Sequence, residues 1–185
     1  MDCVVEESRS IIFLDIDGVI SPIDVSNHHV PVYREWYYRY EAKKYLRKHQ
    51  FSILPYDIYL VKKYWNRQAI GRIKRLAKVT NSRIVMTSTW CKTYSNTNQM
   101  RNLLRMVGLD DVYLDNAYQP NKAAGVRDYL NRHPEVETYV IFDDQDEWGL
   151  QQGFDKHFLR THNLFTENDY RQAISILQTE LSNSK

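Results

Sequence analysis

The pattern of apolar and polar residues predicts strands that alternate with helices along most of the chain. Apolar runs at residues 10–15, 83–87 and 138–144 are bounded by polar or turn residues, which is typical of strands buried on both faces. Shorter runs at 111–115 and 156–161 predict two further strands. Apolar residues at helical spacing predict helices over residues 66–80, 98–108, 122–133 and 167–181. Alternation of this kind is typical of βαβ units, so we expect an α/β fold with a central, mainly parallel sheet.

Several helix ends carry their own signals. The helix at 98–108 is expected to stop at Gly108, and the helix at 122–133 must end before Pro134. Thr166 and Asp169 form a variant of the capping box, which predicts that the last helix begins there.

Residues 26–65 interrupt the alternation. This segment contains 8 of the 14 tyrosines and 2 of the 4 tryptophans. Such a density of aromatic side chains usually indicates a small packed layer. Aromatic residues interleaved with lysine and arginine can also bind phosphate-bearing polymers, so this alternative stays open.

The net charge is +2, but basic and acidic residues are unevenly distributed along the chain. Between Pro31 and Arg83 there are 14 Lys and Arg against 3 Asp and Glu, whereas the remainder has 11 basic and 20 acidic residues. The basic region is either an ordinary solvated surface or a region that attracts an anionic substrate or partner.

Composition excludes several classes of protein. The chain of 185 residues is 43% hydrophobic and 26% charged, and no apolar run approaches the roughly 18 residues of a membrane span. The first ten residues are polar and acidic, unlike a secretory signal peptide. Cys3 and Cys91 form no CxxC pair, which argues against a disulfide framework. We therefore expect the cytoplasm or another reducing compartment.

Acidic and hydroxyl residues follow three of the predicted strands. Asp15 and Asp17 follow the first, Thr87 and Ser88 end the second, and an acidic pair at 143–144 follows a later one. In parallel sheets, ligands bind beyond the carboxyl ends of the strands. Carboxylates gathered there need a counterion, and Mg²⁺ is the natural one for oxygen ligands.

Groups suited to hold a phosphate are predicted at the same edge. Lys122 begins a helix, and its ammonium can bind phosphate oxygens together with the hydroxyl of Thr87. The backbone amides from Ile16 to Gly18 can add further donors.

Taken in order, these residues resemble the four-motif pattern of haloacid dehalogenase (HAD)-like phosphatases. The pattern comprises DIDGV at 15–19, a hydroxyl residue ending the next core strand, a lysine at a helix start, and DD after a later strand. The chain is most similar to the small HAD domains of Swiss-Army-knife-type RNA-repair proteins. The similar stretches are IVMTSTW (84–90), NKAAGVRDYL (121–130), YVIFDDQDEW (139–148) and RTHNLFTENDYRQAISIL (160–177).

The resemblance implies a Rossmann-like three-layer sandwich formed by one domain, residues 1–185. Residues 26–65 would then be a flap or small cap inserted after the first strand, with no large cap. An insertion this short leaves the site open. An open site favours a macromolecular substrate, either a phosphoprotein such as phosphotyrosine or a nucleic-acid end.

The resemblance also implies roles for single residues. Asp15 corresponds to the nucleophile that forms an aspartyl-phosphate, and Asp17 to the general acid and base. Thr87, Ser88 and Lys122 would orient and neutralise the phosphoryl group. Together these roles imply a Mg²⁺-dependent phosphomonoester hydrolase.

The implied metal ligands are Asp15, the Asp17 carbonyl, Asp143 and Asp144. Asp144 is favoured for direct contact and Asp143 for support, and Asp146 is a weaker third candidate.

Four residues are candidates for substrate recognition: Trp90, Lys92, Tyr33 and Trp36. Related domains often carry arginine directly after the tryptophan of the second motif, whereas this chain has Cys91 followed by Lys92. Two alternatives remain open: a phosphatase of small molecules or nucleotides, and a phosphate- or RNA-binding module without activity.

Overall fold

The structure, a computed structural model, describes residues 9–23, 29–50, 52–146 and 149–183. Five strands of this part of the chain form one sheet in the order β3-β2-β1-β4-β5, and every pair is parallel. The strands are β1 (Ser10–Leu14), β2 (Arg83–Met86), β3 (Tyr113–Asn116), β4 (Thr138–Asp143) and β5 (Phe158–Arg160).

Helices cover both faces of the sheet. They are α1 (Glu35–His49), α2 (Pro55–Tyr64), α3 (Arg67–Val79), α4 (Thr97–Arg105), α5 (Lys122–Arg132), α6 (Leu150–Phe154) and α7 (Glu167–Asn183). Alternate β1 residues point to opposite faces, so that Phe13 packs with α5 and α6 whereas Leu14 belongs to the core shared with α2, α3, α4 and α7. Burial on both faces explains the continuous apolar runs of the strands. The predicted three-layer α/β sandwich is confirmed.

Most predicted elements exist, with ends that differ by a few residues. The predicted helix at 98–108 ends at Arg105, three residues before Gly108, which has a positive φ of 74°. The capping box is confirmed, because the Thr166 N–H donates to Asp169 Oδ2 (2.7 Å) and the Asp169 N–H to Thr166 Oγ1 (3.3 Å). No helix in the described ranges is both long and apolar enough to cross a membrane.

The segment 26–65, of which residues 26–28 and 51 lie outside the described residues, contains α1 and α2. These helices pack through buried tyrosines, with the rings of Tyr38 and Tyr59 at 5.3 Å. The Tyr45 hydroxyl donates to the Asn102 carbonyl (2.8 Å), which joins α1 to α4. These contacts agree with the packed-layer interpretation for this face of α1. The role of the segment as a flap or small cap stays a prediction.

Candidate active site

The candidate site lies at the carboxyl ends of β1, β2 and β4. The Asp15 N–H donates to the Phe142 carbonyl and the Thr87 N–H to the Leu14 carbonyl, both at 3.0 Å. These bonds continue the sheet pairing by one residue, so Asp15, Thr87 and Asp143 stand at the same level of the sheet. The sheet runs outward in both directions from β1, which makes this edge a topological switch point where α/β folds bind ligands.

Lys122 joins two of the predicted acids. Its Nζ lies 2.6 Å from Asp15 Oδ2 and 2.6 Å from Asp143 Oδ2, and all three side chains are buried. The lysine reaches them from the first turn of α5, which Asn121 caps by accepting the Ala124 N–H (3.0 Å). Burial alone would lower the pKa of Lys122, but the two carboxylates outweigh it and raise that pKa above its ordinary value. The ammonium therefore stays charged.

Three carboxylates are placed to share one cation. Asp15, Asp143 and Asp144 each offer an oxygen, and these oxygens lie within 4.8 Å of one another. Burial and then the charge of Asp15 raise the pKa of Asp143 to about 7, with Lys122 acting in the opposite direction. The pKa of Asp144 is raised by the same two causes. The three carboxylates have only one ammonium group to balance their charge, and all of their ligand atoms are oxygens. Such a buried site fits a hard divalent cation.

The other two predicted metal residues lie outside this group. Asp17 was expected to contribute only its carbonyl, and that contact stays a prediction. Asp146 Oδ1 accepts the Gln151 N–H (2.6 Å) near the start of α6, so this carboxylate has a structural partner.

Mg²⁺ is expected to raise the melting temperature of the wild-type protein, because binding to the folded state stabilises it. At one hundred times the Kd the stabilisation is about 2.7 kcal/mol. Asp144→Asn removes a ligand charge and should reduce the shift, whereas Asp146→Asn should keep it. Melting curves over a MgCl₂ titration measure this, and an Asp144→Asn shift equal to that of the wild type would contradict the assignment.

Asp17 lies beside the group and is held by Trp90. Asp17 Oδ2 accepts the Trp90 Nε1–H (3.1 Å), and the Trp90 ring packs against Trp65 at 5.4 Å. Burial and the charge of Asp15 raise the pKa of Asp17 to about 6, although the Trp90 bond lowers it. A carboxyl group with such a pKa can hold and release a proton near neutral pH. Trp90 thus orients Asp17, and its role in substrate recognition stays a prediction.

The groups predicted to donate hydrogen bonds to a phosphate differ in whether they already form hydrogen bonds within the protein. Thr87 Oγ1 is buried and has no hydrogen-bond partner in the described part of the chain. A buried hydroxyl of this kind is suited to a ligand oxygen. Ser88 accepts the Trp90 N–H (3.4 Å), whereas the amide of Ile16 donates to Asp15 Oδ1 (2.8 Å) and that of Gly18 to the Ser21 carbonyl (2.6 Å). A phosphate would have to compete for those two amides, so their role stays a prediction.

Gly18 has a clear steric role instead. Its φ is +75°, and a Cβ at this position would lie 2.3 Å from the Cβ of Asp144. Any larger residue would push Asp144 away from the carboxylate group.

A cavity of about 370 Å³ opens beside Asp17 and Asp144, and α2 forms one of its walls. The buried Asp57 of α2 lines it, although the sequence pattern did not single out this residue. The sequence does contain a feature that distinguishes Asp57, since it is one of only three acids in the basic region between Pro31 and Arg83. The other two, Glu35 and Glu41, pair with Arg39 and Lys62.

Asp57 is expected to make stability depend on pH. Its Oδ2 accepts the Tyr94 hydroxyl (2.5 Å), and burial raises its pKa although this bond opposes the shift. Because the pKa of this carboxyl group is higher in the folded than in the unfolded protein, its protonation stabilises the folded state. That stabilisation is complete below the unfolded pKa of about 4 and is lost as the pH rises through the folded pKa. Relative to Asp57→Asn, the wild type should therefore lose unfolding free energy as the pH rises above about 4. Urea unfolding at several pH values measures this, and a constant difference would contradict it.

Other candidates lie away from the cavity. The exposed Lys92 has its Nζ 5.8 Å from the ring centre of Tyr118, and Tyr33 and Trp36 are 70% and 69% exposed near the start of α1. None of the three lines the cavity. Cys91 is buried, which raises the pKa of its thiol to about 12 and disfavours the thiolate that a nucleophile needs. Cys3 lies outside the described residues.

Residues 11–169 match the protein family described as the HAD domain in Swiss Army Knife RNA repair proteins. Comparisons with curated proteins and with solved structures give no match. The matched region contains Asp15, Thr87, Lys122 and the acidic pair at 143–144. This match supports a phosphatase-type hydrolase, and the buried carboxylates are compatible with that chemistry. The chain therefore belongs to the HAD domains of Swiss Army Knife RNA repair proteins.

Proposed function

We propose that the protein is a Mg²⁺-dependent phosphomonoester hydrolase that acts through an aspartyl-phosphate on Asp15. One observation carries this proposal: Asp15, at the end of the central strand, shares a buried lysine with Asp143 at 2.6 Å and lies within 4.8 Å of the other carboxylates that could hold a cation. A carboxylate can attack an anionic phosphate only when cations offset the repulsion between them.

The proposed reaction has two displacements at phosphorus. In the first, a carboxylate oxygen of Asp15 forms a bond to phosphorus while the bond to the leaving oxygen breaks, and Asp17 gives that oxygen a proton. In the second, Asp17 takes a proton from water, the water oxygen bonds to phosphorus, and the Asp15–phosphorus bond breaks. The Ile16 amide holds Asp15 Oδ1 at 2.8 Å and thereby fixes the orientation of the nucleophile.

The cation would be held by Asp15, Asp143 and Asp144, and it would act as a Lewis acid that neutralises phosphoryl charge. Lys122 supplies a fixed positive charge on the same edge, and Thr87 supplies a buried hydroxyl without a hydrogen-bond partner among the described residues. Both are suited to the phosphoryl oxygens, on which negative charge is greatest.

For the substrate we propose a phosphorylated nucleic-acid end. The description of the family names RNA repair, and α1 offers a suitable exposed surface. Four exposed cations of this helix form no ion pair with a described residue: Lys43, Lys44, Arg47 and Lys48. Tyr33 and Trp36 are exposed at the other end of this helix and can stack on bases.

Phosphate release from oligonucleotides phosphorylated at the 3′ or 5′ end tests this proposal, with a phosphotyrosine peptide as the alternative substrate. We expect Mg²⁺-dependent release that is faster from an oligonucleotide. Faster release from the peptide would overturn the nucleic-acid assignment. Tight binding of the oligonucleotide without any release would overturn the hydrolase and favour a binding module.

A further inference from the structure

The cavity beside Asp17 is where the leaving group of the proposed reaction must lie. Asp17 has to reach the leaving oxygen to protonate it, and the same cavity touches Asp17 and Asp144. Its volume of about 370 Å³ exceeds what a phosphate needs and falls in the range of small-ligand pockets. The group attached to the phosphate therefore has a formed site of its own.

The charges of this cavity exclude a second phosphate. Among its ten lining residues in the described part of the chain, Asp17, Asp57 and Asp144 are acidic and none is lysine or arginine. A further phosphate here would meet carboxylates and no cation, which is unfavourable in a partly buried site. The bound group therefore carries no negative charge apart from the phosphate that reacts.

The walls suit a ring that carries hydrogen-bond donors. Trp90 and Tyr56 provide aromatic surface and Leu60 provides apolar surface. Asp57 is acceptor-only when ionised, and the Tyr94 hydroxyl donates to its Oδ2 (2.5 Å), which leaves further acceptor capacity on the carboxylate. A tyrosine ring offers no donor once its oxygen is esterified, whereas a nucleoside offers sugar hydroxyls and base amines.

We propose that this cavity binds the nucleoside that carries the reacting phosphate, and that Asp57 selects it by accepting a hydrogen bond from a sugar hydroxyl or a base amine. This inference rests on the proposed phosphatase function. Asp57 contributes to specificity and takes no part in the bond changes at phosphorus. Further phosphates of a longer chain stay outside the cavity.

The test compares kcat/KM for p-nitrophenyl phosphate, adenosine 3′- and 5′-phosphates, and an oligonucleotide ending in the same phosphorylated nucleoside. Asp57→Ala should lower kcat/KM for the nucleoside phosphates by about 10- to 100-fold, the range for a hydrogen bond to a charged group. The value for the aryl phosphate, whose ring carries no donor for Asp57, should fall much less. Tyr94→Phe removes the same buried bond but keeps the carboxylate in the cavity, so this matched control should retain the preference for nucleosides.

The outcomes separate this inference from the proposed function. An equal loss on all substrates in Asp57→Ala, or the same selective loss in Tyr94→Phe, would show a structural role and overturn the inference. Turnover of the aryl phosphate without a preference for nucleosides would overturn the inference alone. Absence of turnover on every substrate with Mg²⁺ would overturn the proposed function. A higher kcat/KM for the oligonucleotide identifies a chain end as the source of the nucleoside, whereas a higher kcat/KM for the mononucleotide identifies a free nucleotide. Either result supports nucleoside binding in this cavity.

Discussion

Replacing Asp15 by asparagine is expected to reduce phosphate release by about 10⁴-fold or more, the scale of losing a catalytic nucleophile. Asparagine keeps the size of the side chain but lacks the negative oxygen that attacks phosphorus. Phosphate release under saturating Mg²⁺ measures this effect. Residual activity within about tenfold of the wild type would exclude Asp15 as the nucleophile, because such a loss is too small for a covalent role.

The same substitution should leave the protein folded. It removes one of three carboxylates that repel one another in a buried group, and Lys122 keeps Asp143 as its partner. The melting temperature without Mg²⁺ should therefore be unchanged or higher, as is common when a strained functional site is neutralised. Asp110→Asn is the matched control, because Asp110 pairs with Arg105 (2.9 Å) on α4 and should leave activity intact. A large drop in the melting temperature of Asp15→Asn would show that the Asp15 carboxylate stabilises the folded protein, contrary to this expectation.

Gly18→Ala is expected to destabilise the folded protein by about 2–5 kcal/mol, from left-handed backbone strain together with overpacking. The added Cβ would lie 2.3 Å from Asp144 Cβ, at a residue whose φ is +75°. Relief of this clash must move Asp144, so the Mg²⁺-dependent increase in melting temperature should fall as well. Urea unfolding with and without Mg²⁺ measures both effects.

Two other glycines separate the causes. At Gly149 φ is +70° and an added Cβ would meet no described atom within 4 Å, so Gly149→Ala tests backbone strain alone. At Gly71, within α3, there is neither strain nor a close neighbour, and Gly71→Ala should stabilise by about 0.5–1 kcal/mol. A loss in Gly18→Ala no larger than in Gly149→Ala would show that contact with Asp144 is unimportant.

The sequence predicted the sheet and its carboxyl edge well, because strands buried on both faces are continuous apolar runs. It also predicted the acids that meet there, since Asp15 and the pair at 143–144 directly follow such runs. Helices α1 and α2 were not predicted. In α1 aromatic and charged residues surround the helix without a clear apolar stripe, so periodicity gives little signal.

What the sequence did not predict depends on contacts between distant residues. Trp90 holds Asp17 across 73 positions of the chain, and Tyr94 holds Asp57 across 37. The steric role of Gly18 depends on Asp144, which comes from another strand end. Local patterns report burial and periodicity, whereas these pairings follow only from the order of strands in the sheet and the placement of α2.

In the proposed reaction, Asp15 carries the phosphoryl group during turnover. Mass spectrometry of the protein quenched in acid during turnover with Mg²⁺ can detect this intermediate, since acyl phosphates survive acid. We expect a phosphoryl adduct on the peptide that contains Asp15, removed by hydroxylamine and missing in Asp15→Asn. Turnover without any adduct on that peptide, or an adduct on another residue, would show that Asp15 is not the nucleophile.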